Sequence, residues 1–439
     1  MTRFFDLAGR GTTVGREARG ALATFLTMAY ILVANASILS AAGVPADAAV
    51  AATALTAGLA SILMGLGGNV PIALAPGMGL NAFVAFQVAP VAGGWRGAMG
   101  LIVLDGVIVL ACVLLGLREA VARAIPVDLR RAIGVGIGLF IILLGLVQAQ
   151  LVVVPASTVA ALSEHPGLTL PPLTAGEWSA PGPLIAIAGF IAGACLLTLG
   201  RAGAMLVAIA VSSLLALQTG YMAWNGTIVA WPRFDTVFQA DIRAALDWRL
   251  VPLLFSLILV DFFDTVGTVT AIGEAAGLTG RDGMMPRFKQ ILAIDAIAAI
   301  IGGAAGASSA TSYVESAAGV AEGARTGLHS VFVGLLFLAS MVLAPIAAAV
   351  PAVATAPALI LTGLLMCRDM GRIDIARLDT ALPAFLTVIM VPLTYSISHG
   401  IGAGFIAYVA IKVLSGRIRE VHPLMAVSAA TFILFFAIA

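Results

Sequence analysis

Val260–Gly277 reads VDFFDTVGTVTAIGEAAG and continues an apolar run that begins near Leu250. Asp261 and Asp264 stand three residues apart in it, so on a helix they share a face, about 60° from one another. At about 1.5 Å per residue they lie roughly 16–21 Å into the run, close to the middle of a bilayer. An ionised carboxylate at that depth costs about 2.5–3.5 kcal/mol on insertion scales, so such residues default to handling a polar ligand or ion. The competing role is structural: capping a helix or pairing with a neighbour. Two acids on one face favour function for at least one of them.

Glu315 is a further deep acid, in Gly302–Gly319, GGAAGASSATSYVESAAG. There it either stabilises a helix N-terminus as a fixed carboxylate or meets a ligand from that same position. Asn81, in Asn69–Phe86 (NVPIALAPGMGLNAFVAF), offers both amide donors and an acceptor, suited to an uncharged polar ligand; capping backbone is its alternative. No Lys or Arg within the apolar runs stands ready to neutralise Asp264 and Glu315. They therefore either carry a proton or share their charge with a ligand and a travelling cation.

Other chemistry is excluded. His165, His329, His399 and His422 are scattered near segment ends or in loops, and with no HExxH spacing metal catalysis is not expected. Cys112, Cys195 and Cys367 stand singly, which indicates neither a disulfide framework nor a metal site. Gly77–Gly79 (GMG) lacks the βαβ setting of a phosphate loop. Glu274 reads as a solvated or loop-pairing residue beyond the span. Glu322 and Arg325 read as an ion pair or as a helix-end arrangement. No cofactor is expected, and the net charge of +1 gives no reason to expect nucleic acid.

Elements that could hold such residues follow from composition. Of 439 residues 61% are hydrophobic and 10% charged, against about 25% charged in soluble domains. Apolar runs long enough to cross about 30 Å of hydrocarbon recur: Ala21–Ala42, Ala46–Gly67, Ala98–Leu117, Ala132–Val154, Pro183–Leu199 and several after Leu250. The chain is a polytopic helical membrane protein. Basic residues at Arg118–Arg131, Arg201, Arg281–Lys289, Arg325, Arg368–Arg377 and Lys412–Arg419 share one side if the N-terminus is cytoplasmic. The connection Gln148–Ser179 has neither Lys nor Arg and falls outside; Tyr221–Trp248, with Arg233 and Arg243, is a mild exception. No removable signal peptide is expected.

In this frame seven spans precede about Gly220 and seven more run from Leu250 to about Ser415, so the second half enters with opposite polarity, as in inverted repeats. Leu424–Ala439 is one segment too many: an interfacial helix or a fifteenth crossing. The third segment of each half, around Asn81 and around Glu315, is broken by Pro, Gly or Ser and reads as an extended piece leading into a half-helix. Broken backbone at membrane depth survives only inside protein or along a cavity, and matched interruptions in two halves point to a transport site.

TMAYILVANASIL (Thr27–Leu39), IALAPGMGLNAF (Ile72–Phe83), DFFDTVGT (Asp261–Thr268), TSYVESAAGVAEGARTGL (Thr311–Leu328) and VATAPALILTG (Val353–Gly363) resemble the adenine/guanine/hypoxanthine permease branch of the nucleobase–ascorbate (xanthine/uracil permease) transporter superfamily. The likeness spans roughly Gly20 to Glu420. It implies about fourteen transmembrane segments as two inverted seven-helix repeats, with short strands before the half-helices of segments three and ten. It further implies a core domain (21–125 and 249–349) and a gate domain (126–248 and 350–420), between a cytoplasmic N-terminal segment (1–20) and an unplaced 421–439. Inner-membrane purine uptake by proton symport, through an elevator-like motion in a homodimer, is the activity this suggests.

By the same resemblance Asp264 and Glu315 are ligand-binding and proton-coupling positions. Asn81, Tyr313 and Ser316 join them around the purine, with Asp261 and Thr268 in support. Thr268 stands where other branches carry a second titratable group, which puts that group's role in doubt here. A uracil, xanthine or anion permease on the same fold is the alternative, the anion disfavoured by the two acids. An intramembrane aspartyl protease is remote, because no GxGD motif accompanies the pair.

Overall fold

The computed structural model describes residues 2–116, 125–158, 173–279 and 285–438; the basic stretch 118–124, His165 and Arg281 lie outside them. The first half runs α1 (Val14–Met28), α2 (Tyr30–Ser40), α3 (Ala46–Leu63), strand β1 (Leu74–Pro76), half-helix α4 (Met78–Phe83), α5 (Trp95–Leu114), α6 (Val127–Gln148), strands β2 (Val152–Val153) and β3 (Thr174–Ala175), α7 (Pro181–Thr198) and α8 (Ala204–Gln218). The second runs α9 (Val251–Ala276), α10 (Phe288–Ala305), strand β4 (Ala310–Ser312), half-helix α11 (Ser316–Ala321), α12 (Gly327–Ser340), α13 (Ala352–Met366), α14 (Leu378–Leu393) and α15 (Ile397–Leu414), followed by α16 (Pro423–Ile438). Among the described residues ten helices are long and apolar enough to cross a membrane, and shorter apolar helices fill the remaining places. The expected seven-plus-seven order holds, with α1 and α2 together forming the first span.

The inverted repeat is visible in the packing. α3 pairs with α12 and α5 pairs with α10, so the second and fourth spans of one half meet the fourth and second of the other. Glycine makes these approaches possible. A Cβ on Gly58 would lie 3.1 Å from Gly334 O, and one on Gly334 would lie 2.6 Å from Gly58 O. Gly138 of α6 and Gly363 of α13 exchange the same contact at 2.7 and 2.5 Å. Lipid tails offer no hydrophobic drive between helices, so small residues that admit close backbone contact carry the association. α3, with Ala and Thr at most of its buried positions, is built this way along its length.

Helices α1–α5 and α9–α12 pack chiefly among themselves, and α6–α8 with α13–α15 form a second group. The first group is tied at both ends. At one end Arg10 donates to Asn69 O (2.7 Å) and Arg325 O (3.0 Å), and the buried Glu17 carboxylate accepts from Arg325 N (2.8 Å) and His329 N (3.1 Å). Arg325 also donates to the Val320 and Ala324 carbonyls, each at 2.6 Å, so its place is at a helix end. At the other end the segment between the halves hydrogen-bonds across three helix ends, Phe238 N to Ala304 O, Asp241 N to Arg96 O and Ala230 N to Val342 O. The extra segment α16 packs on α15 and α9, with Phe432 edge-on to Phe405 and Phe255.

Candidate substrate site

The two broken segments meet. β1 and β4 pair antiparallel, Ala75 opposite Thr311, so the half-helices α4 and α11 start from one small sheet at the centre of the first group. Pro76 has no N–H to give, and the short strands are completed by Gly77 N donating to Ser309 O (2.9 Å) and Tyr313 N to Ala73 O (3.0 Å). Tyr313 and Ser316 serve this junction. The Tyr313 hydroxyl donates to Pro76 O, and Ser316 Oγ accepts from Ala73 N at 3.0 Å. Both side chains are buried.

Asn81 is fully buried, and neither its amide oxygen nor its nitrogen is hydrogen-bonded among the described residues. A backbone-capping role is therefore not what the structure shows. A buried amide left in this state costs free energy until a partner arrives. Glu315 immediately precedes α11 but makes no capping hydrogen bond to it; Oε1 instead accepts from the Tyr30 hydroxyl of α2 at 3.0 Å. A carboxylate accepts more than one hydrogen bond, and the residue is half-buried.

On α9 the two aspartates part company. Asp261 is 1% exposed, inside the packing, whereas Asp264 is half-buried. Thr268 lies one turn on, also half-buried, and Gly267, Ala271 and Glu274 continue the stripe as exposed positions. The stripe carries Asp, Gly, Thr, Ala and Glu in place of large apolar side chains. Glu274 is in the last turn of the helix, which runs on to Ala276, beyond the span end expected from sequence.

Two acids and one tyrosine were not singled out from sequence. Asp295 of α10 is 1% exposed and accepts from Ser312 Oγ (2.8 Å) and Thr265 Oγ1 (2.5 Å). Thr265 Oγ1 lies 3.2 Å from Thr311 Oγ1, which approaches Asp264 Oδ2 at 3.5 Å. A file of hydroxyls thereby joins Asp264 to Asp295. Asp105, on α5, is fully buried, with neither carboxyl oxygen hydrogen-bonded among the described residues. Both acids sit inside apolar runs, the criterion that exposed Asp261 and Asp264. Tyr30 carried no such signal, because its partner is 285 residues away. Among the described residues neither Asp264 nor Glu315 forms an ion pair, so the site presents acceptors and amide groups without a fixed cation.

The xanthine/uracil permease family model, described as a permease family, matches residues 15–403. The chain belongs to this family. Adenine permease AdeP of Escherichia coli K12 is 39% identical over 436 residues, covering 99% of this chain and 95% of that protein. Guanine/hypoxanthine permease PbuO of Bacillus subtilis 168 is 36% identical over 442 residues, covering 98% of each. Among solved structures, the transmembrane domain of the cyanobacterial bicarbonate transporter BicA superposes with a TM-score of 0.63 at 16% identity, covering 87% of this chain and 97% of that one. SLC26A9 superposes at 0.64 with 12% identity, covering 91% of this chain and 65% of its own. These superpositions speak for the fold. The purine-permease likeness read from the motifs agrees with the permease relatives, and the helical fold with its small central sheet agrees with the transporter structures.

Proposed function

We propose that this permease is a secondary transporter that takes up purine nucleobases (adenine, guanine or hypoxanthine) across the inner membrane by proton symport. In this reading residues 21–125 and 249–349 form the moving core, 126–248 and 350–420 form the gate, and the N-terminus is cytoplasmic. The protein works as a homodimer. The observation that supports it best is the grouping of Asp264, Glu315 and Asn81 around one β1–β4 junction, each with hydrogen-bonding capacity unspent.

A nucleobase is a neutral plane edged with N–H donors and ring-nitrogen or carbonyl acceptors. A carboxylate accepts from N–H, a neutral carboxyl donates to an acceptor, and an amide does both. Asp264 and Glu315 take opposite edges of the ring, Asn81 takes the edge between them, and one of the acids gains and loses the coupled proton. Tyr313 and Ser316 hold the shape of the junction from which the base is gripped; Asp261 and Thr268 support α9. Two acids at the site, with no ion pair to either among the described residues, favour a neutral base over an anion.

The test is uptake of labelled adenine and hypoxanthine into proteoliposomes, with and without a protonophore, and competition by guanine, xanthine and uracil. Accumulation that collapses with the protonophore and yields to purines is expected. Asp264→Asn and Glu315→Gln should each lower uptake about 10- to 100-fold, the effect of one charge-assisted hydrogen bond of about 1.5–3 kcal/mol. Unchanged accumulation in both variants sinks the assignment, and preference for uracil or xanthine would replace the substrate class.

A further inference from the structure

At the end of the bundle opposite the N-terminal segment a small contact joins the two helix groups. Gln87 lies in the π-helical turn Val84–Val88 that continues α4, one and a half turns past Asn81 in the direction away from the central sheet. Its Oε1 accepts from Ser396 Oγ and from Ile397 N, each at 3.1 Å. Ser396 belongs to the tight turn between α14 and α15, in the second group. Beside it Tyr395 holds φ at +54°, in the left-handed region, with its ring edge-on to Phe86 at 5.7 Å and to Phe140 of α6 at 4.9 Å. A bulky residue keeps such a backbone only where its surroundings hold it, and such positions gather at switches. A shallow concavity of about 290 Å³, lined by Ala42, Ala85, Pro90 and Gly94 among others, lies on the outer face of the same half-helix.

We propose that Gln87, Ser396 and Tyr395 form the latch of the outer gate: closed in this structure, and broken when the site turns outward. This rests on the reading above of a core that moves against a gate. Three features of the geometry support it. Asn81 and Gln87 share one short rigid piece, so displacement of the ligand-binding group carries Gln87 away from the Ser396 turn. The latch consists of two neutral hydrogen bonds and two aromatic edges, weak enough to reopen, as a two-state element requires. Gln87 Nε2 is buried with no hydrogen-bond partner among the described residues, so the closed form leaves a donor unsatisfied.

The experiment uses full-length protein with Cys112, Cys195 and Cys367 replaced by serine. In a Gln87→Cys/Ser396→Cys pair, a short bifunctional thiol reagent should abolish purine uptake, and a reducing agent should restore it. Purine binding to inside-out membranes should persist in the linked form. In sealed cells carrying Asn81→Cys, adding Gln87→Ala should raise labelling by an impermeant outside thiol reagent about tenfold, as expected when about 1.4 kcal/mol of closed-state preference is lost; Gln87→Asn should restore part of the protection. Uptake that continues in the demonstrably linked protein, or labelling unchanged by Gln87→Ala, overturns the latch. If the reduced, unlinked protein neither binds nor carries any purine, the transport reading fails instead.

Discussion

Asp295 holds two hydroxyls at once, one from β4 and one from α9, and through Thr265 and Thr311 it is joined to Asp264. Its removal should disturb the site without touching a ligand. Asp295→Ala should lower purine uptake at least tenfold with the protein still in the membrane, while Asp295→Asn, which keeps an acceptor, should lose less. Initial-rate uptake normalised to surface protein measures both; equal loss in the two variants would make the residue a titrating group rather than a brace. Tyr30 acts on Glu315 in a similar way, through a hydroxyl at 3.0 Å. Tyr30→Phe frees that carboxyl oxygen and should shift the pH profile of uptake and change apparent purine affinity about 5- to 10-fold, in keeping with one hydrogen bond of about 1 kcal/mol. A pH profile that coincides with the wild type would show that Tyr30 only packs.

The elements that carry these residues depend on glycine contacts between helices. Gly334 and Gly58 leave no room for a side chain, since an added Cβ on Gly334 meets Gly58 O at 2.6 Å. Gly334→Val should therefore force α12 away from α3 and cost about 1–3 kcal/mol or more, as overpacking does. The loss shows as a lower midpoint in thermal unfolding of the detergent-solubilised protein. Gly371, where a Cβ meets nothing within 4 Å, is the matched control and should leave the midpoint unchanged on substitution by Ala. These paired glycines could be seen in the sequence only as an excess of glycine in apolar runs. Which glycine faces which is a matter of crossing geometry between distant segments.

Across the whole molecule, charge gathers where helices leave the apolar layer. Lys412, 1% exposed, donates to Asp379 Oδ2 at 2.7 Å and to Glu420, and Arg417 donates to Asp379 at 3.0 Å. The hydrogen bond from Lys412 holds the Glu420 carboxyl below its usual range. A carboxyl lowered on folding adds stability above its unfolded value of about 4.3, and that contribution disappears as the pH falls through the folded value. The melting temperatures of wild type and Glu420→Gln should therefore differ at pH 7 and converge only once the pH falls below the lowered folded value; a difference that persists at still lower pH would mean that the charge is not its source. The effect is small because Glu420 is solvent-exposed.

Much of this architecture was legible in the chain itself. Sustained apolar runs with few charges demand membrane helices, since the bilayer accepts little else. The interruptions around Asn81 and Glu315 announced non-helical backbone at depth, which became β1 and β4. Acids inside greasy runs marked Asp264 and Glu315 as worth examining. What the chain could not say is which of two neighbouring aspartates is packed away; helix packing leaves Asp261 inside and Asp264 half-exposed. Nor could it pair Tyr30 with Glu315, Ser316 with Ala73 or Gln87 with Ser396. These bonds join segments that only the inverted repeat brings together. Local sequence sets the cost of placing a polar group in the membrane, and tertiary structure alone decides which partner meets that cost.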